Sequence, residues 1–95
     1  MDVDDKAFEQ GLELGSRRTT EHFQLPASRE RAGAFYEVLR GWSGEANSRF
    51  VSLVTEIWVV ADAARQFNRE PALTRDELSC FVATMYWFMN SFKHR

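Results

Sequence analysis

The chain has 95 residues, the size of one small domain, which excludes a second independent hydrophobic core. Hydrophobic residues make up 44% and charged residues 27%, as in ordinary globular proteins, and a net charge of −2 has the wrong sign for neutralising nucleic-acid phosphates. A single cysteine excludes an internal disulfide, and the start Met-Asp-Val-Asp-Asp lacks the basic and apolar regions of a secretory signal. We therefore expect one cytoplasmic domain that binds no nucleic acid.

Proline and glycine divide the chain into four segments, and each segment repeats its apolar residues with the 3.6-residue period of a helix. The breaks fall at Pro26, at Gly41 and Gly44, and at Pro71. The sequence predicts an all-α fold, a compact bundle of three to four helices in a single domain over 1–95. The predicted helices span about residues 4–16, 29–41, 45–67 and 75–93. Dimerisation is one way to complete such a bundle.

The first predicted helix carries a stripe of small residues, Ala7, Gly11 and Gly15, beside the apolar Phe8 and Leu12. Each glycine costs roughly 1 kcal/mol relative to alanine inside a helix. The stripe favours close packing against another helix, although a weak, peripheral helix explains it equally well. The residues that follow, 17–27, are predicted to be a linker or a frayed helix end.

The second and third helices are predicted from apolar faces. Ser28 is the candidate N-cap of the second helix. The apolar stripe of this helix comprises Ala32, Phe35, Tyr36, Leu39 and Trp42. The third helix has a wider apolar face, which is typical of a central helix with more than one neighbour. That face comprises Ala46, Phe50, Leu53, Val54, Ile57, Ala61 and Ala64.

The fourth helix has the best-defined start. Thr74-Arg75-Asp76-Glu77 fits a capping box, and Leu73 and Leu78 occupy the positions of a hydrophobic staple. The predicted core stripe comprises Leu78, Phe81, Val82, Met85, Phe88, Met89 and Phe92. No charged residue occurs from Leu78 to Phe92. This run is shorter than the ~20 residues of a membrane span, so we expect no membrane insertion.

The other side of the fourth helix carries Trp87 and Cys80 among small uncharged residues, with Tyr86 between the two sides. Interface cores are depleted in charge and enriched in aromatic residues. Either the small-residue stripe of the first helix covers this side, or a second subunit or partner does, with Trp87 as the anchor. The predicted partner-binding residues are Trp87, Tyr86, Ala83, Cys80 and Val59.

No arrangement of catalytic or metal-binding residues stands out in the sequence. His22 and His94 have no cysteine or carboxylate at ligand spacing, and no glycine-rich nucleotide motif occurs. Cys80 lies among apolar residues, which favours an inert thiol. Glu56 and Asp62 lie about 120° apart around the third helix and do not form a facing acid pair. We expect no enzyme activity, no catalytic residue, no metal and no cofactor.

Arg17 and Arg18, followed by Thr19 and Thr20, form the one stretch that suits an anion. Adjacent arginines and hydroxyls near a helix end can bind phosphate, so the two arginines are the candidate ligand-binding residues. A solvated, flexible linker explains the same residues.

The tripeptide Trp42-Ser43-Gly44, which is followed by Phe50 and Trp58, resembles the WXG motif of small secreted helical hairpins. The resemblance implies two long helices joined near mid-chain. Pro26 and Pro71 would interrupt those helices, and the Tyr-x-x-x-Asp or Tyr-x-x-x-Glu secretion signal of that family does not occur. No function is carried over from the resemblance.

These features together favour a non-catalytic protein-binding module, either an adaptor or a stoichiometric inhibitor of the accessory kind that bacteria, plasmids and phages encode. The expected partner is another protein, and homodimerisation through the fourth helix is the associated hypothesis. Two alternatives stay open. One is a helical bundle that binds a small anion or nucleotide through Arg17 and Arg18, and the other is a non-catalytic subunit of an enzyme.

Overall fold

The structure, a computed structural model, describes residues 5–24, 29–42 and 48–93, the side chains of residues 92 and 93 excepted. Within these ranges the chain forms four helices and no strand. The helices are α1 (Asp5–Phe23), α2 (Arg29–Arg40), α3 (Ser48–Phe67) and α4 (Arg75–Lys93). The predicted all-α bundle is therefore confirmed. The two-helix hairpin implied by the WXG resemblance is not the arrangement that these residues adopt.

The small-residue stripe of α1 packs directly against α3. A Cβ atom added to Gly11 would lie 2.7 Å from the carbonyl oxygen of Ser52, and one added to Gly15 would lie 2.9 Å from the Cβ of Val59. Such separations are shorter than carbon–oxygen and carbon–carbon contacts allow. Glycine is therefore needed at both positions because the two helices approach so closely, and the predicted close packing of the stripe is confirmed.

The first helix is longer than the sequence predicts, since α1 continues to Phe23 instead of ending near Ser16. The extra turns contain Thr19, which is fully buried, and Arg18, which forms an ion pair with Glu56 of α3. The helix is thus sustained by tertiary contacts that a local pattern does not show. Residues 17–23 are helical, which fits the predicted frayed helix end and not the predicted linker. Residues 25–28, including the candidate N-cap Ser28, lie outside the described residues.

The buried side of α3 is shifted around the helix from the predicted apolar face, although Phe50 and Val54 of that face are buried as predicted. Leu53 is 39% exposed and Ile57 is 45% exposed, although both belong to the predicted core face. Val59, expected on the outside, is only 2% exposed. The reason is that α1 packs on the side of α3 that carries Ser52 and Val59, which rotates the buried arc towards α1.

The hydrophobic core is centred on Phe35 of α2, which is fully buried. Its ring stacks on Trp58 of α3 with the centroids 4.8 Å apart and meets the edge of Phe81 of α4 at 6.1 Å. A third contact joins it to Phe8 of α1 at 6.5 Å. One aromatic ring therefore touches a ring from each of the other three helices.

The helix α4 begins with the predicted capping box, which is confirmed. The backbone N–H of Thr74 donates to Oε1 of Glu77 at 2.9 Å, and the backbone N–H of Glu77 donates to the hydroxyl of Thr74 at 3.2 Å. Hydrogen bonds from the backbone of Thr74, and then from its side chain, hold the pKa of Glu77 below its ordinary value of 4.5. Leu78, at the second staple position, is buried.

Candidate interaction surface

The side of α4 that points away from the core is uncharged and carries an exposed tryptophan. Trp87 is 69% exposed and Phe88 is 49% exposed. Beyond the first turn of the helix, the exposed side chains are those of Cys80, Thr84, Trp87, Phe88 and Ser91. Four of the five recur at intervals of four, three and four residues, which places them on one helical face. We call these five residues the outer face of α4.

The predicted partner-binding residues do not all lie on this face. Trp87 and Cys80 do, whereas Ala83 is half-buried at its edge. Tyr86 is half-buried because its ring contacts Phe50 edge-on at 5.7 Å and Trp42 at the same centroid distance. Val59 is buried beside Gly15 of α1, so the prediction that it extends the surface is wrong.

Three members of the outer face, Thr84, Phe88 and Ser91, are not among the predicted partner-binding residues. Phe88 belongs to the predicted core stripe, but it is exposed because α4 buries a narrower arc than that seven-residue stripe covers. The sequence did contain a signal for this exposure, because the predicted stripe is wide. One helix face seldom buries so many large side chains when it has few neighbours.

The small-residue stripe of α1 does not cover Trp87. That alternative is wrong because the stripe packs against α3, where Ser52 and Thr55 provide small side chains that let the helices approach closely. A tryptophan ring would not fit between two helices at that separation. Trp87 is therefore left exposed by the fold itself.

A second apolar surface lies between α1 and α3. Leu53, Ile57, Val60 and Ala61 line a shallow groove of about 570 Å³. The ion pair between Arg18 and Glu56 forms part of its lining. This groove contains the two residues of α3 that the rotation of the buried arc leaves exposed.

The two candidate ligand-binding arginines form ion pairs with different carboxylates. Arg17 pairs with Glu13 one turn earlier in α1, at 3.3 Å. Arg18 pairs with Glu56 of α3. An anion would have to compete with both carboxylates, so the structure does not bring the two guanidinium groups together as one anion site.

A polar cluster that the sequence did not indicate lies between α2 and α3. Asp62 is only 4% exposed, and its carboxylate accepts hydrogen bonds from Nε of Arg31 at 2.7 Å and from Nε2 of Gln66 at 3.0 Å. A buried charge needs such partners. Asp62 and Arg31 also line a cavity of about 150 Å³ that has apolar walls including Trp58. The cluster ties α2 to α3, and no sequence signal links residues 31 positions apart.

The described residues contain no group of three or more His, Cys, Asp or Glu side chains that could hold a metal ion. None of the four described helices is both long enough and apolar enough to cross a membrane. No family model, curated protein or solved structure matches the chain. The function is therefore inferred from the surfaces themselves.

Proposed function

We propose that the protein is a non-catalytic protein-binding module and that the outer face of α4 is its docking surface. The observation that carries the proposal is the exposure of Trp87, which is 69% exposed to solvent. A tryptophan side chain offers ~150–250 Å² of surface, so covering the exposed part would contribute roughly 3 kcal/mol to binding. Tryptophan is also among the residues that most often anchor interfaces.

The absence of charge on this face supports the same proposal. A partner that covers Leu78 to Phe92 would not have to strip water from any charged side chain, which is the main cost of burying polar surface. Charges lie only at the two ends, with Arg75, Asp76 and Glu77 in the first turn and Lys93 at the last helical residue. An apolar centre with charged ends is the typical composition of an interface.

Within this proposal, the small acidic chain acts as an adaptor or as a stoichiometric inhibitor of the accessory kind that bacteria, plasmids and phages encode. The alternative role as a non-catalytic subunit of an enzyme is included in this proposal, since the partner would then be an enzyme. The anion-binding alternative has less support, because both Arg17 and Arg18 already pair with carboxylates.

The test is affinity capture from an extract of the native host with the tagged protein, quantified by mass spectrometry. We expect Trp87→Ala to lower the recovery of the specific partner at least about tenfold, as loss of a hot-spot residue does. The matched control is Phe67→Ala, since Phe67 is another highly exposed aromatic residue, at 62%, and lies outside α4. Equal recovery by the wild type and Trp87→Ala would contradict the proposal.

A thermal-shift screen with nucleotides and other small anions tests the alternative. A melting temperature that rises with one anion in the wild type, and no longer rises in Arg18→Gln, would favour ligand binding over protein binding.

A further inference from the structure

We infer that α1 is a strap, a helix that detaches as a unit from α3 while α2, α3 and α4 stay folded together. The inference goes beyond the proposed function, because it concerns the side of α3 that α1 covers and not the outer face of α4. Three features carry it: the few large side chains that anchor α1, two buried hydroxyl groups on the packed faces of α1 and α3, and the connections among the other three helices.

The contact between α1 and α3 buries little apolar surface for the length of the helix. All residues of α1 are described, and those that are buried are Ala7, Phe8, Gly11, Gly15 and Thr19. Phe8 is therefore the one large apolar side chain that this helix buries, while Leu14 is 42% exposed. Hydrophobic stabilisation scales with the apolar area removed from water, and the glycines add no side chain while weakening the helix itself. A helix held in this way opens at a lower free energy than the core of the molecule.

Two hydroxyl groups on the packed faces of α1 and α3 are buried without compensation. Thr19 of α1 and Thr55 of α3 are both fully buried, and the described residues supply no hydrogen-bond partner to either Oγ1 atom. Thr19 follows Gly15 by four residues on the same face of α1. Thr55 lies against Gly11, because a Cβ atom added to that glycine would be 2.9 Å from the Thr55 Cβ. A buried hydroxyl without a partner has lost its hydrogen bonds to water, so opening of the contact restores them.

The other three helices are connected to one another without α1. Phe35 of α2 stacks on Trp58 of α3 and meets the edge of Phe81 of α4. The carboxylate of Asp62 in α3 accepts a hydrogen bond from Arg31 of α2. None of these contacts includes a residue of α1. The opened molecule therefore keeps a core of three helices and exposes the side of α3 that α1 covers.

Hydrogen–deuterium exchange of the full chain, read by mass spectrometry of its peptides, tests the detachment. A detached α1 loses its helical hydrogen bonds, because isolated helices of this length are marginal in water even without glycine. We expect amides between Gly11 and Gly15, far from the fraying ends, to exchange at least about tenfold faster than those in the middle of α3. Their exchange should also depend less on urea, since a local opening exposes less surface than global unfolding. Equal rates with equal urea dependence would overturn the inference.

The role of the two hydroxyls is tested by valine, which has nearly the shape of threonine without the polar group. Thr19→Val and Thr55→Val should each slow the exchange of α1 about tenfold, because the closed contact then buries no unpaired hydroxyl. Thr84→Val, at an exposed threonine of α4, is the matched control and should leave the exchange of α1 unchanged. Unchanged or faster exchange in both seam variants would show that the hydroxyls do not favour opening, and would overturn the inference.

Thiol labelling measures the uncovering of α3 directly. The exposed Cys80 is first replaced by serine, which removes its reaction with the reagent. Val59→Cys then places a thiol beside Gly15 under α1, and Val82→Cys places one at a fully buried position of α4. We expect an aromatic disulfide reagent to label position 59 at least about tenfold faster than position 82, since opening of α1 uncovers only the first. Equal labelling rates would show that both thiols become accessible by global unfolding, which would overturn the strap.

Discussion

At the scale of single residues, Glu77 shows how one side chain defines the beginning of a helix. Its carboxylate accepts the backbone N–H of Thr74, while its own backbone N–H donates to the hydroxyl of Thr74. Both partners lie within three residues in sequence, so the pattern was sufficient to predict the contact. The start of α4 is a local property of the chain.

The capping box should make stability depend on pH. Hydrogen bonds from Thr74 hold the pKa of Glu77 below 4.5, so the carboxylate stabilises the folded state above that value and loses its effect as the pH falls through the lowered pKa. Glu77→Ala should therefore lower the free energy of unfolding at pH 7, and the difference from the wild type should shrink below pH 4.5. Urea titrations of both proteins at several pH values measure this difference in the free energy of unfolding. A difference that stays constant down to pH 2, an acidity below ordinary carboxylate pKa values, would contradict this account.

Asp62 behaves differently, because its main partner lies in another helix. Arg31 donates to its carboxylate at 2.7 Å across the packing of α2 on α3. The sequence showed only that Asp62 and Glu56 point in different directions, and in the structure each has its own arginine partner, Arg31 and Arg18. Which arginine reaches which carboxylate depends on the helix packing.

At the scale of helices, the contact between α1 and α3 requires glycine at two positions. Gly11→Ala and Gly15→Ala should each destabilise the protein by about 1–3 kcal/mol, because the added methyl group would overlap α3 and the helices would have to separate. The better helix propensity of alanine, worth about 1 kcal/mol, offsets part of that cost. Chemical denaturation monitored by circular dichroism measures the change in the free energy of unfolding.

The control for this prediction is Gly33→Ala in α2. Nothing lies within 4 Å of a Cβ atom built at Gly33, so the same substitution should stabilise the protein by about 0.5–1 kcal/mol. Stability changes of opposite sign for the same glycine-to-alanine substitution would show that the close approach of α3 determines the result. The helix propensity of glycine alone would give the same sign at all three positions. Stabilisation by Gly11→Ala would contradict the close contact.

The helix α3 marks the limit of what an apolar pattern can predict. Its pattern includes Leu53 and Ile57, which are exposed, and omits Val59, which is buried. The apolar arc of α3 is wider than the area that the neighbouring helices can cover. The pattern therefore does not predict which part of the arc is buried. That choice depended on α1, which presents glycines to the more polar side of α3 and so buries it.

At the scale of the whole molecule, two tryptophans distinguish the core from the surface. Trp58 is 2% exposed and stacks on Phe35, so Trp58→Ala should destabilise the protein by about 3–5 kcal/mol. Trp87 is 69% exposed, so Trp87→Ala should change the free energy of unfolding by no more than about 0.5 kcal/mol.

Urea unfolding at low micromolar protein concentration, which disfavours self-association, measures both effects. A large loss of stability in Trp87→Ala under these conditions would show that its ring belongs to the core. The same substitution then could not serve as a probe of binding. Comparable small effects for both tryptophans would contradict the core centred on Phe35.

The local properties of the chain were determined by the sequence alone: four helices, the capping box of α4, and an uncharged run that ends in basic residues. Each depends on neighbours within a few residues, because backbone hydrogen bonds and helical periodicity are short-range. Only the tertiary structure decided which helix the glycines of α1 contact, which side of α3 is buried, and that Trp87 stays exposed. Several faces were apolar enough to be buried, and the shapes of the helices determined which of them meet in the core and which stay exposed.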